Sequence, residues 1–128
     1  MIDHISIAVR ELKASARFYD ALLAPLGMMR VREAPKTVGY GKSYPEFWLN
    51  ERPHLKSLPD DSGAHICLRA PDTQAVDGFH AAALAAGAKS DGAPGKRPQY
   101  SKAYYAAFIR DRDGNRIEAV TFLPDAAE

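Results

Sequence analysis

The chain has a single cysteine, Cys67, in 128 residues. One cysteine excludes an internal disulfide framework and a cysteine-rich zinc site, and it suits a reducing, cytoplasmic setting. Long apolar runs are missing as well. The longest, residues 81–88, is alanine-rich and far short of the roughly 20 residues a bilayer demands. The opening Met1-Ile2-Asp3-His4 has no basic segment followed by an apolar core, so no signal peptide is expected. Nor is there an excess of one charge: 17 basic against 16 acidic residues leave +1, which is no nucleic-acid footprint. What is present, 46% hydrophobic and 26% charged residues, is the make-up of one globular domain. A chain of this length can bury about two-thirds of its unfolded surface without a covalent staple.

The most informative internal feature is a faint repeat. Asp3-His4-Ile5-Ser6-Ile7 superimposes on Ala64-His65-Ile66-Cys67-Leu68, an offset of 61 residues (His65 against His4). The register continues without a gap, placing Ala14 on Ala75, Phe18 on Phe79 and Leu23 on Leu84. Two similar supersecondary units follow from this, residues 1–53 and 64–124, joined by a linker at 54–63 rich in Pro, Asp, Ser and Gly.

Each copy reads as a strand, a helix and three strands. Ile5, Ile7 and Val9 alternate with Ser6 and Ala8, a strand at period two. Leu12, Ser15, Phe18 or Tyr19, Leu22 and Leu23 recur at helical spacing until Pro25 and Gly27 stop the helix. In the second copy Asp72 or Thr73 caps a helix carrying Val76, Phe79 and Ala83, closed by Gly87. Further strands are predicted at 28–31, 38–41 and 45–50, and at 88–90, 104–110 and 116–122, with Asp113-Gly114-Asn115 as a hairpin turn. Residues 91–102, with two Gly, two Pro and three basic residues, read as a loop.

His4 and His65 hold equivalent positions on the first strand of each unit. Were the units related by a pseudo-twofold axis, two imidazoles would face one cavity, which is half of a metal site. A carboxylate must complete it, and Glu118, in the otherwise apolar last strand, is the best candidate, since a buried carboxylate requires a partner. The alternatives are structural: histidines that bond within the core or rim, and a Glu118 that faces solvent or pairs with Arg116 or Arg110.

The segments HISIAVRELKASARFY and AHICL, with YYAAFIRDRDGNRIEAV near the end, resemble the vicinal oxygen chelate superfamily of glyoxalases, bleomycin-resistance proteins and type I extradiol dioxygenases. The closing F-x-x-D-x-D-G-N-x-I-E pattern is the most specific part of this likeness, which extends over nearly the whole chain. The resemblance implies an α+β fold of two βαβββ modules whose curved sheets surround a cleft. It implies one divalent ion (Zn, Ni, Mn, Fe or Co) held by His4, His65 and Glu118. Glyoxalase I has a fourth ligand, a glutamate, on the last strand of module one. Here Phe47 or Trp48 falls at that position, and Glu46 reaches it only if the strand shifts by a residue.

The implied function is a metal-dependent lyase or isomerase that chelates vicinal oxygens of a small substrate and stabilises an enolate or oxyanion, with Glu118 and Tyr104 as catalytic groups. The alternatives are an extradiol-like dioxygenase and a metal-free drug-sequestering protein whose aromatic walls carry the affinity. Trp48, Phe47, Glu46 and Tyr105 are the expected substrate-lining residues. Tyr104 and Tyr105 are neighbours on a strand, so at most one of them faces the cleft. Lys96, Arg97 and Lys102 are candidates for charge at the cleft mouth, and His54 and His80 read as surface residues. A homodimer is expected, since superfamily members pair their modules within or between chains; no nucleic acid or membrane partner is.

Overall fold

The alternation and helical spacing of the sequence become, in the computed structural model, two successive βαβββ units; the structure describes residues 1–124. Unit one contains β1 (Ile5–Val9), α1 (Leu12–Leu23), a short 3-10 turn (Ala24–Leu26), β2 (Met29–Ala34), β3 (Thr37–Gly41) and β4 (Phe47–Glu51). Unit two contains β5 (Ile66–Arg69), α2 (Thr73–Ala85), β6 (Lys89–Lys96), β7 (Tyr104–Arg110) and β8 (Arg116–Phe122). Each unit forms a four-stranded mixed sheet of the same topology, β1-β4-β3-β2 and β5-β8-β7-β6, with the first strand parallel to the last and the others antiparallel.

The helices end where local chemistry ends them. Asp72 caps α2 by accepting from the Ala75 N–H at 2.9 Å. Helix α1 lacks a side-chain cap of its own, and Glu51 at the end of β4 accepts the Leu12 N–H instead, at 3.1 Å. Gly27 closes the 3-10 turn at φ +82, a conformation that favours glycine. Leu12, Ala16, Tyr19, Leu22 and Leu23 form the buried stripe of α1; Val76, Phe79 and Ala83 form that of α2. The two helices pack on one another, so one apolar core runs through both units.

Strand parity then fixes which side chains remain outside that core. Ile7, Val9, Phe47 and Leu49 of sheet one, and Ala107, Ile109, Ile117 and Ala119 of sheet two, belong to it. Their odd-even partners, His4, Ser6 and Trp48 in unit one and His65, Cys67, Tyr104, Phe108 and Glu118 in unit two, lie on the opposite, helix-free faces.

The units are also joined by a polar latch. Asp111, at the β7–β8 turn, accepts from the Tyr19 hydroxyl of α1 at 2.6 Å, and from the Asn115 side chain and the backbone N–H groups of Asp113 and Asn115, each at 2.9 Å. Asn115 donates onward to the Ala8 carbonyl at 3.0 Å, and Arg10 pairs with Asp113 at 2.6 Å. The most family-specific stretch of the sequence is thus the bolt between the modules.

Two expectations are corrected. The loop at 91–102 is a strand as far as Lys96: β6 follows β7 with register shifts between Ser90 and Gly92 and between Gly92 and Gly95. Bulges accommodate the Gly and Pro that read as loop signals. Arg97 is committed to this irregular edge, donating to the Ala93 and Gly95 carbonyls at 2.7 and 2.9 Å with its guanidinium over Phe108. His80 is buried rather than exposed and meets the Ser90 hydroxyl at 2.8 Å.

Burial lowers the His80 pKa. A histidine kept neutral by the fold contributes stability above its unfolded value, near 6.5, that disappears as the pH falls through its folded value. Thermal melts are accordingly expected to drop more steeply below about pH 6.5 for the wild type than for His80→Gln, which keeps a hydrogen-bonding group that does not titrate. Parallel melting curves would remove His80 from the acid response.

Candidate metal and substrate cleft

Glu118 sits in the middle of β8 with its side chain only 3% exposed. Both carboxylate oxygens are engaged. His65 Nε2 lies 3.0 Å from Oε1, and the Tyr104 hydroxyl donates to Oε2 at 2.5 Å. Three strands supply this cluster: His65 immediately precedes β5, Glu118 is on β8 and Tyr104 is on β7. The structural alternative of a Glu118 paired with Arg110 or Arg116 is not what the fold builds; those arginines bond to Asp60.

The cluster opens into a cavity of about 550 Å³, lined also by Tyr100, Phe108, Asp91 and Arg116 and by the end of the linker, Ser62 to Ala64. Tyr100 and Tyr104 meet edge to face with centroids 5.0 Å apart, making one aromatic wall. Burial, reinforced by the bond to Glu118, pushes the Tyr104 phenol well above its ordinary pKa. At neutral pH it is therefore a donor, never a base. Cys67 is exposed beside Glu118 on the parallel ladder, where partial desolvation and the neighbouring carboxylate push its thiol pKa up and so disfavour the thiolate.

His4 is elsewhere. It is 55% exposed on the open face of sheet one, its Nδ1 held by Asp3 at 2.7 Å. It lines a separate cavity with Trp48, Arg32, Tyr44 and Asn50. Among the described residues of one chain, no three His, Cys, Asp or Glu side chains are grouped to hold a metal ion. The expected convergence of His4, His65 and Glu118 does not occur within the single chain: His65 and Glu118 meet, and His4 stands apart.

Strand register identifies the residue of unit one that corresponds to Glu118. In unit two, Cys67 pairs with Glu118 across the parallel ladder; in unit one, the equivalent Ser6 pairs with Trp48. Trp48, not Phe47 or Glu46, is the counterpart of Glu118. Its indole lies across Gly39, where an added Cβ would fall 2.8 Å from the ring and 2.9 Å from Pro45 Cβ. The glycine gives the ring its bed.

Two expected lining residues are corrected by parity. Phe47 is fully buried against Tyr19 and Tyr40 in the core. Tyr105 points to the helix side, donating to Asp77 of α2 at 2.7 Å. Glu46 is exposed just before β4 and outside both cavities. Sequence reasoning missed Phe108, Asp91, Tyr100 and Arg116 as cavity residues. Arg116 and Phe108 carried a usable signal, since each lies an even number of residues from Glu118 or Tyr104 on the same strand.

Comparison with known proteins agrees with the fold. The family model for the glyoxalase/bleomycin resistance protein/dioxygenase superfamily matches residues 1–119. No curated protein matches. A glyoxalase/bleomycin resistance protein from Albidiferax ferrireducens is similar at 30% identity with a TM-score of 0.78, covering 94% of this chain and 97% of that one. A hypothetical protein from S. aureus is 25% identical with a TM-score of 0.69, covering 94% of each chain. A mutant of the fosfomycin resistance protein FosX from Listeria monocytogenes, solved with Mn(II) and 1S,2S-dihydroxypropylphosphonic acid, shares the fold at 16% identity and a TM-score of 0.71, covering 98% of this chain and 93% of that one. Among the described residues no helix is long and apolar enough to cross a membrane. Two βαβββ units, a family model spanning nearly the whole chain and a relative at 30% identity make this chain a member of the glyoxalase/bleomycin resistance protein/dioxygenase superfamily.

Proposed function

We propose that the chain is a divalent-metal-dependent enzyme of the lyase or isomerase type, acting on a small substrate with two adjacent oxygens. His65 and Glu118 of one chain and His4 of a second copy are the metal ligands, so the working unit is a homodimer. The observation that carries this reading is the buried Glu118 carboxylate facing the His65 imidazole across 3.0 Å in an aromatic-walled cavity.

The donor set fits the ion. Imidazole and carboxylate suit Zn, Ni, Mn, Fe and Co. His4 has the second-sphere arrangement typical of a ligand, since Asp3 holds Nδ1 and, among the described residues, Nε2 is unengaged. Because three donors do not group within one chain among the described residues, a second copy is the source of the third. FosX, which shares the fold, was solved with a divalent ion and a vicinal diol, the two features this reading assigns here.

When bound, the ion supplies Lewis-acid stabilisation of an enolate or oxyanion. The chain's own groups do the rest. The Tyr104 phenol, protonated at neutral pH, donates its one O–H to Glu118, and turns that donor to a substrate oxygen once the carboxylate is given over to the ion. Phe108 and Tyr100 give the cavity aromatic surface, and Trp48 of the second copy offers an apolar wall beside His4. With Trp48 at the fourth position, three protein ligands leave open sites for substrate.

One observation favours a second reading. Both Glu118 oxygens already have protein partners, so the cluster is satisfied without an ion, as a metal-free drug-sequestering protein would require. Elemental analysis of protein purified without a histidine tag separates the two. About one transition-metal ion per chain, lost in His65→Ala, is the expected result. A metal-free wild type would favour the binding protein.

A further inference from the structure

We infer that Arg116 selects an anionic substrate: the cavity takes a carboxylate or phosphate oxyanion at Arg116, about 7 Å along β8 from the Glu118 end. This deepens the function proposed above and rests on it for what binds at Glu118. Arg116 and Glu118 are two residues apart on one strand and line one cavity. Among the described lining residues Arg116 is the one guanidinium or ammonium group.

Its present bonding leaves it incomplete. One terminal nitrogen donates to the Asp60 carbonyl, which fixes the side chain against the linker. Its Nε is shut off from solvent and has no hydrogen-bond partner among the described residues. Asp91 Oδ2 stands 3.9 Å from that nitrogen, close enough to attract it and too far to bond. A buried donor without an acceptor is costly, and a small shift of a one-third-exposed side chain would offer its fork to an oxyanion. The other basic candidates are not placed for this: Arg97 is folded onto backbone carbonyls, and Lys96 and Lys102 do not line the cavity. Phe108, opposite Glu118 on the β7–β8 ladder, lines the same cavity, so a flat spacer carrying adjacent oxygens at the Glu118 end and an acid at the Arg116 end has an aromatic ring to lie against.

The test is calorimetric titration with 3,4-dihydroxybenzoate and with catechol, which differ by the carboxylate, using protein as purified and protein stripped with a chelator. The wild type is expected to bind the acid about tenfold or more tightly than catechol, as a charge-assisted pair allows. That ratio should collapse toward one in Arg116→Met, be partly retained in Arg116→Lys, and rise in Asp91→Asn, where the competing carboxylate is gone. The Lys and Asn variants decide the matter should the Met variant fail to fold. Acetate and inorganic phosphate as competitors identify which oxyanion the site prefers. Equal affinity for acid and catechol in the wild type, or an acid preference that survives in Arg116→Met, would overturn the inference. A metal-free protein that keeps the acid preference would sink the metal reading alone; a metal-loaded one without it would sink this inference alone.

Discussion

Glu118→Gln is expected to lose metal binding by about a hundredfold or more while melting within about 1 kcal/mol of the metal-free wild type. The two halves of that result come from different physics. Metal affinity depends on the negative charge and lone pairs of the carboxylate, which the amide lacks. Folding depends on the hydrogen bonds at the site. A glutamine can still accept from Tyr104 and meet His65 at the distances seen, 2.5 and 3.0 Å, and it removes the cost of burying a charge. A purely structural Glu118 would show the reverse, with stability falling and metal content unaffected. Titration with Mn(II) or Zn(II) and a thermal melt of the stripped protein measure both.

The largest effect on stability belongs to the latch. Asp111→Ala removes one acceptor from four donors, namely the Tyr19 hydroxyl, two backbone N–H groups and the Asn115 amide. Asp111 is 7% exposed and Tyr19 fully buried, so water does not readily replace what is lost. Stranding buried donors costs about 1–3 kcal/mol each before relaxation, so a net loss of about 3–5 kcal/mol is expected. That corresponds to a fall in Tm of roughly 12–20 °C. Asn115→Ala, which severs the bond to Ala8 but leaves the turn, should cost less. A Tm within a few degrees of wild type for Asp111→Ala would show that the helices alone hold the modules together.

Much of this was legible because it is local. Period-two alternation located β1, the Asp113-Gly114-Asn115 turn marked the hairpin of β7 and β8, helical spacing and Asp72 located α1 and α2, and the offset that placed His4 on His65 exposed the duplicated unit. Parity was legible only in part. That Tyr104 and Tyr105 face opposite ways follows from the strand; which of them meets Glu118 follows from Ile109 and Ile117 entering the core. The choice between Phe47 and Trp48 turned on a one-residue phase that the ladder between β1 and β4 sets. The bulged course of β6 was hidden because Gly92 and Gly95 carry the same signals in a bulge as in a loop.

The position of His4 relative to Glu118 was not legible at all. It depends on how the two units are held together, through α1 against α2 and through the bonds of Asp111, Asp113 and Asn115 to Tyr19, Arg10 and Ala8. Those contacts span about a hundred residues of sequence, and no local pattern reports them. Arg116, by contrast, was within reach of local reasoning: it lies two residues from Glu118 on β8 and so shares its face.

Mixing two inactive variants tests the central claim most directly. His4→Ala and His65→Ala, each alone, should carry no tightly bound metal. In a heterodimer of the two, one cleft would combine both substitutions, while the other would combine the intact His4 of one chain with the intact His65 and Glu118 of its partner. One ion per heterodimer, with the matching share of activity restored, is the predicted result. Full metal occupancy in His4→Ala alone, or none in the heterodimer while the wild type is loaded, would contradict a site shared between chains.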